Sequence, residues 1–169
     1  MSETLLSSLV QTKSIELVLA PIAAQVSQLI LLNEVSQRDG IPLPDMVPDA
    51  QQIRQAVNGL VLAAQRLVVE VPDDDLRSGM PLACEAVKDA GNCLLLATHQ
   101  LKEQPFSHKV RYNLVDSARN ILEGTMKVLL VYDQAEIRKI VASARWVMDQ
   151  LHLVERATSS GELVVKFQV

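Results

Sequence analysis

The sequence predicts an all-α chain, an up-and-down four-helix bundle whose long fourth helix extends beyond the bundle. Three observations predict it. Aliphatic residues recur at three- and four-residue steps in four separate segments. The breaks between those segments concentrate Pro, Gly and Asp. Aromatic residues are only 3% of the 169 residues, so the 49% hydrophobic fraction is mostly small and aliphatic. Such a composition suits packed helices better than a β-sandwich.

The first helix is predicted from about Thr12 to Glu34. Ile15, Val18, Ile22, Val26, Leu29 and Leu32 fall on one face. Pro21 lies inside this helix and is expected to kink or loosen it. Residues 1–11 form an N-terminal extension, in which Leu5, Leu6, Leu9 and Val10 either lengthen the helix or form a short one beside it. The break RDGIPLPDMVPDA contains Pro42, Pro44 and Pro48. Asp49 is the expected N-cap of the second helix, with Gln52 three residues on. Its stripe is Ile53, Ala56, Val57, Leu60, Ala63, Ala64 and Leu67.

The break VPDDDLRSG follows, with Asp73, Asp74 and Asp75 read as solvated loop. In the third helix Met80, Ala83, Val87, Ala90, Leu94, Ala97 and Leu101 alternate three and four apart, the pattern of bundle packing. Pro81 is placed near its start. After EQPFS, Ser107 is the expected cap of the fourth helix.

The fourth helix is predicted from Ser107 to about Arg156, a run without proline. At 1.5 Å per residue, fifty residues reach about 75 Å, roughly twice the length of the other three helices. The bundle therefore accounts for residues 1–132. Residues 133–169 continue the fourth helix and begin a truncated second bundle, with SSGELVVKFQV read as the start of another helix. The face made by Ile140, Val147, Met148 and Leu151 has no partner in the chain. It bends back, packs on another molecule, or belongs to a longer protein; an apolar patch of that size usually marks an interface.

Composition excludes several function classes. Net charge is -4 and the basic residues are scattered, which argues against nucleic acid and anionic membranes as partners. No secretory signal is visible, and the apolar stretches read as too short to span a membrane, so a cytoplasmic location is expected. Cys84 and Cys93 lie about 13 Å apart along one helix, too far to bridge, and read as small core residues. A di-iron bundle needs two Glu-x-x-His motifs. The nearest approach here is Asp149-x-x-His152, once, read as a solvated helical pair. His99 and His108 are read as surface or cap residues. No phosphate loop or nucleophile elbow is present. No enzyme activity, cofactor or metal is expected.

Four stretches carry a family resemblance. They are TKSIELVLAPIAAQVSQLILLNE, QAVNGLV, SGMP and DSARNILEGTMKVLLVYDQAEIRKIV. In the last, Ser117-Ala118-Arg119, Ile121-Leu122, Gly124-Thr125 and Ala135-Glu136-x-Arg138-Lys139 stand in order. Together they resemble the vinculin family, collinearly and over nearly the whole chain. The related α-catenins match less well.

The resemblance implies the first helical bundle of the family's head, with a last helix running into a second bundle. It implies a cytoskeletal adaptor of cell adhesion that binds amphipathic helices of the talin rod by insertion between its first two helices. By position the groove is then lined by Val18, Ile22, Val26 and Leu29, and by Ile53, Ala56, Val57 and Leu60. Each is also an ordinary core position. Actin is engaged in the family through a tail, so only through regions outside this chain. The alternative is an α-catenin-like junction module that binds a β-catenin-type helix or forms a homodimer, with Ile140, Val147, Met148 and Leu151 as the self-association or second-bundle face.

Overall fold

A computed structural model describes residues 15–167, with side chains from 17 to 161. A π-helical turn, Ile15–Leu19, leads into α1, Ala20–Asp39. Then come α2, Val47–Glu70, α3, Asp74–Glu103, and α4, His108–Phe167. No strand occurs among the described residues. Residues 1–14, including the expected N-terminal extension, lie outside them.

Local chemistry sets each boundary. Pro21 lacks the N–H that would reach the Leu17 carbonyl, and the turn just before it is π-helical. Gly40, at φ 64°, stops α1 in the left-handed conformation that glycine adopts without a Cβ penalty. Its N–H and that of Ile41 both reach the Ser36 carbonyl, as in a Schellman closure. The helix therefore runs five residues past the expected Glu34.

Two expected starts are corrected. The second helix begins at Val47, not after Asp49, because the Asp45 carboxylate accepts the Val47 N–H at 3.1 Å. The third begins at Asp74, not near Met80. Asp73 is extended and its carboxylate accepts the Leu76 N–H at 2.8 Å, so the acidic run is a cap and a first turn rather than a loop. Pro81 consequently sits inside α3. Ser107 does cap α4, accepting the Val110 N–H at 3.4 Å. The separate helix expected within SSGELVVKFQV does not form. Those residues, up to Phe167, continue α4, which at 60 residues would reach about 90 Å.

The helices follow one another around the bundle, and α4 closes against α1. Short breaks make neighbours antiparallel. The core takes Ile22, Val26 and Leu29 from α1 and Ile53 and Val57 from α2. It takes Leu76, Met80, Val87 and Leu94 from α3 and Leu114, Ala118, Ile121 and Val128 from α4. The α3–α4 seam is the most extensive and the α1–α2 seam is thin. At Gly124 the two long helices are so close that a Cβ would lie 2.9 Å from the Val87 Cβ. Cys84 is in the core, where burial raises its pKa, but Cys93 is exposed, contrary to its expected core position.

Candidate partner-helix groove

The expected groove residues divide into three groups. Ile22, Val26, Leu29, Ile53, Val57 and Leu60 are buried in the core, and Val18 is half-buried. Ala56 is exposed. Its place on α2 explains this. Arg54 and Val68 mark the flank of α2 that faces α3: the Arg54 Cγ lies 3.6 Å from where a Cβ on Gly91 would stand, and Val68 lines a groove with Met80 and Cys84. Ala56 and Ala63, seven residues apart, fall on the opposite flank, toward α1. Both are open to solvent, so the rim of the α1–α2 seam is not filled.

On the other side of that seam, α1 is apolar over more of its circumference than the core uses. No charged residue occurs from Leu17 to Asn33. Leu17–Asp39 is apolar along most of its length, yet only 22% of its most apolar stretch is buried. By length and composition this helix could cross a membrane, which corrects the expectation that no segment reaches that size. Its inner stripe serves the bundle core instead. Leu17 and Leu31, at 66% and 59% exposure, lie on the outer side.

The polar features around the groove were missed by sequence reasoning. The stripe Ile22, Val26, Leu29 continues at the same spacing into Asn33 and Ser36, both buried. An apolar stripe that turns polar in its last turns requires a buried partner. That partner is Arg111 on α4, which is 2% exposed. Its guanidinium donates to the Asn33 carbonyl and Oδ1 at 3.3 Å each, to Ser36 Oγ at 2.9 Å, and twice to the Pro105 carbonyl at 2.8 and 3.0 Å. Ser36 Oγ in turn donates to the Ile41 carbonyl. Burial pulls the Arg111 pKa down from the usual arginine value.

A second tie holds the far end of the bundle. Arg138 pairs with Asp73 through two bonds, 2.6 Å from Nε and 3.0 Å from Nη2. The arginine lowers the Asp73 pKa, and the carboxylate raises that of Arg138. Beyond this point α4 leaves the bundle. Ile140, Val147, Met148 and Leu151 are exposed along one face, and Trp146 and Leu153 lie on the opposite one.

Among the described residues no cluster of His, Cys, Asp and Glu could hold a metal. Asp149 and His152 are exposed, and His152 lies 3.5 Å from Glu155. His99 and His108 are on the surface.

The fold and the groove together define a four-helix bundle module whose seam between α1 and α2 is thin. Comparison with known proteins is specific about which such module it is. A family model described as "Vinculin family" matches residues 9–169. Vinculin of Drosophila melanogaster is 36% identical over 153 residues, covering 90% of this chain and 16% of the relative. Human vinculin is 33% identical over 153 residues, covering 90% and 14%. A solved sponge vinculin homologue superposes with a TM-score of 0.74 at 32% identity, covering 83% of this chain and 17% of that one. The chain belongs to the vinculin family. It spans 14–16% of the length of these curated relatives.

Proposed function

We propose that this chain is the helix-binding module of a cytoskeletal adhesion adaptor, and that it receives an amphipathic helix of talin-rod type between α1 and α2. One observation carries the reading: α1 is apolar around more of its surface than the bundle covers, while the rim of its seam with α2 is open at Ala56. A guest presenting apolar residues at i, i+4 and i+7 replaces one aliphatic seam by another. The core residues of α1 lose little burial in the exchange, and the outer Leu17 and Leu31 stand to gain some. At about 25 cal/mol per Å², each further 40 Å² or so of aliphatic surface that the guest covers contributes about 1 kcal/mol to the open form. In this reading the protein works in the cytoplasm at adhesion sites, and actin is reached through parts of the protein beyond this chain.

Titration with an amphipathic talin-rod helix tests the proposal, and absence of binding at tens of micromolar would overturn it. Ala56→Ile sharpens it. Because Ala56 is exposed, isoleucine leaves the resting bundle and its circular dichroism unchanged, yet obstructs the seam and abolishes binding. Unchanged affinity in that variant places the guest elsewhere.

The exposed face of Ile140, Val147, Met148 and Leu151 favours a second reading, an α-catenin-like module that pairs with another copy or takes a β-catenin-type helix. Light scattering separates it: a monomer at high concentration removes the dimer form of that reading.

A further inference from the structure

Among the described residues four side-chain hydroxyls are buried, those of Ser36, Thr98, Ser117 and Thr125. Three of them are satisfied. Ser36 donates to the Ile41 carbonyl, Thr98 to the Leu95 carbonyl at 2.7 Å, and Ser117 to the Asn113 carbonyl at 2.7 Å. Thr125 is fully buried, and its Oγ1 has no hydrogen-bond partner. We infer that this hydroxyl is a cost built into the closed bundle, and that opening of the α1–α2 seam relieves it.

Helix geometry places Thr125 level with the open rim of that seam. Arg111 reaches Asn33 and Ser36 of α1, and Thr125, about four turns further along α4, falls near the same face. Its neighbour Gly124 lies against Val87 of α3. Because α1 and α4 are antiparallel, Thr125 stands level with Ile22, about four turns back from Ser36. Arg54 of α2 lies beside Gly91 of α3. Val57, a turn past Arg54, and Val87, a turn before Gly91, therefore share one level. The layer is Ile22, Val57, Val87 and Thr125, each at or below 1% exposure. The side chains of its other three members are hydrocarbon and offer the hydroxyl nothing. Ala56, at the exposed rim, adjoins Val57 in the chain.

A hydroxyl buried without a partner costs its desolvation free energy, whereas an apolar group of the same shape does not. Parting α1 from α2 uncovers this layer to water or to a polar group of the guest, and the cost is recovered. The closed state is thereby less favoured than an all-aliphatic layer would make it. A guest that needs the open state then binds more tightly, because more of the protein is competent to receive it. This inference concerns the regulation of the insertion proposed above and rests on that reading for its functional meaning, but its first test uses no guest.

Native-state hydrogen exchange on the free 169-residue chain reads the opening of each helix. Thr125→Val keeps the shape of the side chain and removes the hydroxyl. It should slow exchange of the α1 amides, read over residues 24–33, about 10-fold and raise the urea midpoint of the whole chain. Thr125→Ser keeps the hydroxyl and should give neither gain. A midpoint that falls or stays the same in Thr125→Val means that the hydroxyl is satisfied in the closed bundle, and overturns the inference. A raised midpoint with α1 exchange unchanged places the relief in global unfolding alone, and also overturns it. With the guest added, Thr125→Val should bind an amphipathic talin-rod helix about 10-fold more weakly than the wild type. Unchanged affinity alongside slowed α1 exchange, or no binding to either chain, counts against insertion between α1 and α2 and leaves the role of Thr125 in the closed bundle supported.

Discussion

The α3–α4 pair and the α1–α2 pair are built from the same aliphatic residues in the same spacing, yet they pack to different tightness. Between α3 and α4 the backbones approach until Gly124 has no room for a Cβ, and their seam is the most extensive in the bundle. Between α1 and α2 the seam is thin, its rim is open at Ala56 and Ala63, and α1 begins in a π-helical turn. The difference teaches that one half carries most of the interhelical packing, while the other has the exposed rim that the proposed guest would use. A bundle packed equally tightly at all four seams would resist a guest; one loose at all four would not hold its shape.

The comparison breaks most readily by truncating one core residue in each half. Ile121→Ala, in α4, should lower global stability by about 2–5 kcal/mol in urea denaturation. Ile22→Ala removes the same atoms from α1 and should cost less globally, because α1 can open on its own and cap the loss. Equal losses would mean that all four helices unfold as one unit and that the loose half is not independent. Next in size, Gly124→Ala pushes a methyl into Val87 and should cost about 1–3 kcal/mol. A neutral result would show that the α3–α4 seam has slack.

Much of this arrangement is legible in the sequence. The four helices and the Ser107 cap follow from periodicity and turn chemistry, since each depends on neighbours within a few residues. Boundaries fail where a side chain has two candidate roles. Asp73, Asp74 and Asp75 read as a solvated run because three adjacent carboxylates suggest repulsion, but Asp73 bonds Arg138, a residue 65 positions away. Pro81 pointed to a helix start because an interior proline costs a hydrogen bond. The tertiary packing of Leu76 and Met80 outweighs that cost. In the groove, the six buried residues are those that any core-facing stripe would supply. Ala56 depends on which flank of α2 faces α1, and periodicity carries no such information. Asn33 and Ser36 were visible as polar members of an apolar stripe, but the arginine that meets them comes from another helix.

The smallest effect tests the tie that closes the tight half. Asp73 caps α3 and binds Arg138 where α4 leaves the bundle, so Asp73→Asn, which keeps a capping oxygen, should cost about 1 kcal/mol, most of it from the lost charged bidentate pair. The pH dependence gives the sign. Arg138 holds the folded carboxylate below its ordinary pKa, so folding favours the ionised form. That contribution is complete above the unfolded carboxylate pKa of about 3.9 and disappears as pH falls through the lower folded value. The stability difference between wild type and Asp73→Asn should therefore be constant from about pH 7 to 5 and shrink below about pH 4. A difference that persists undiminished into acid would assign Asp73 a role independent of its charge. The join between the bundle and the protruding part of α4 would then rest on packing around Ala135 rather than on the ion pair.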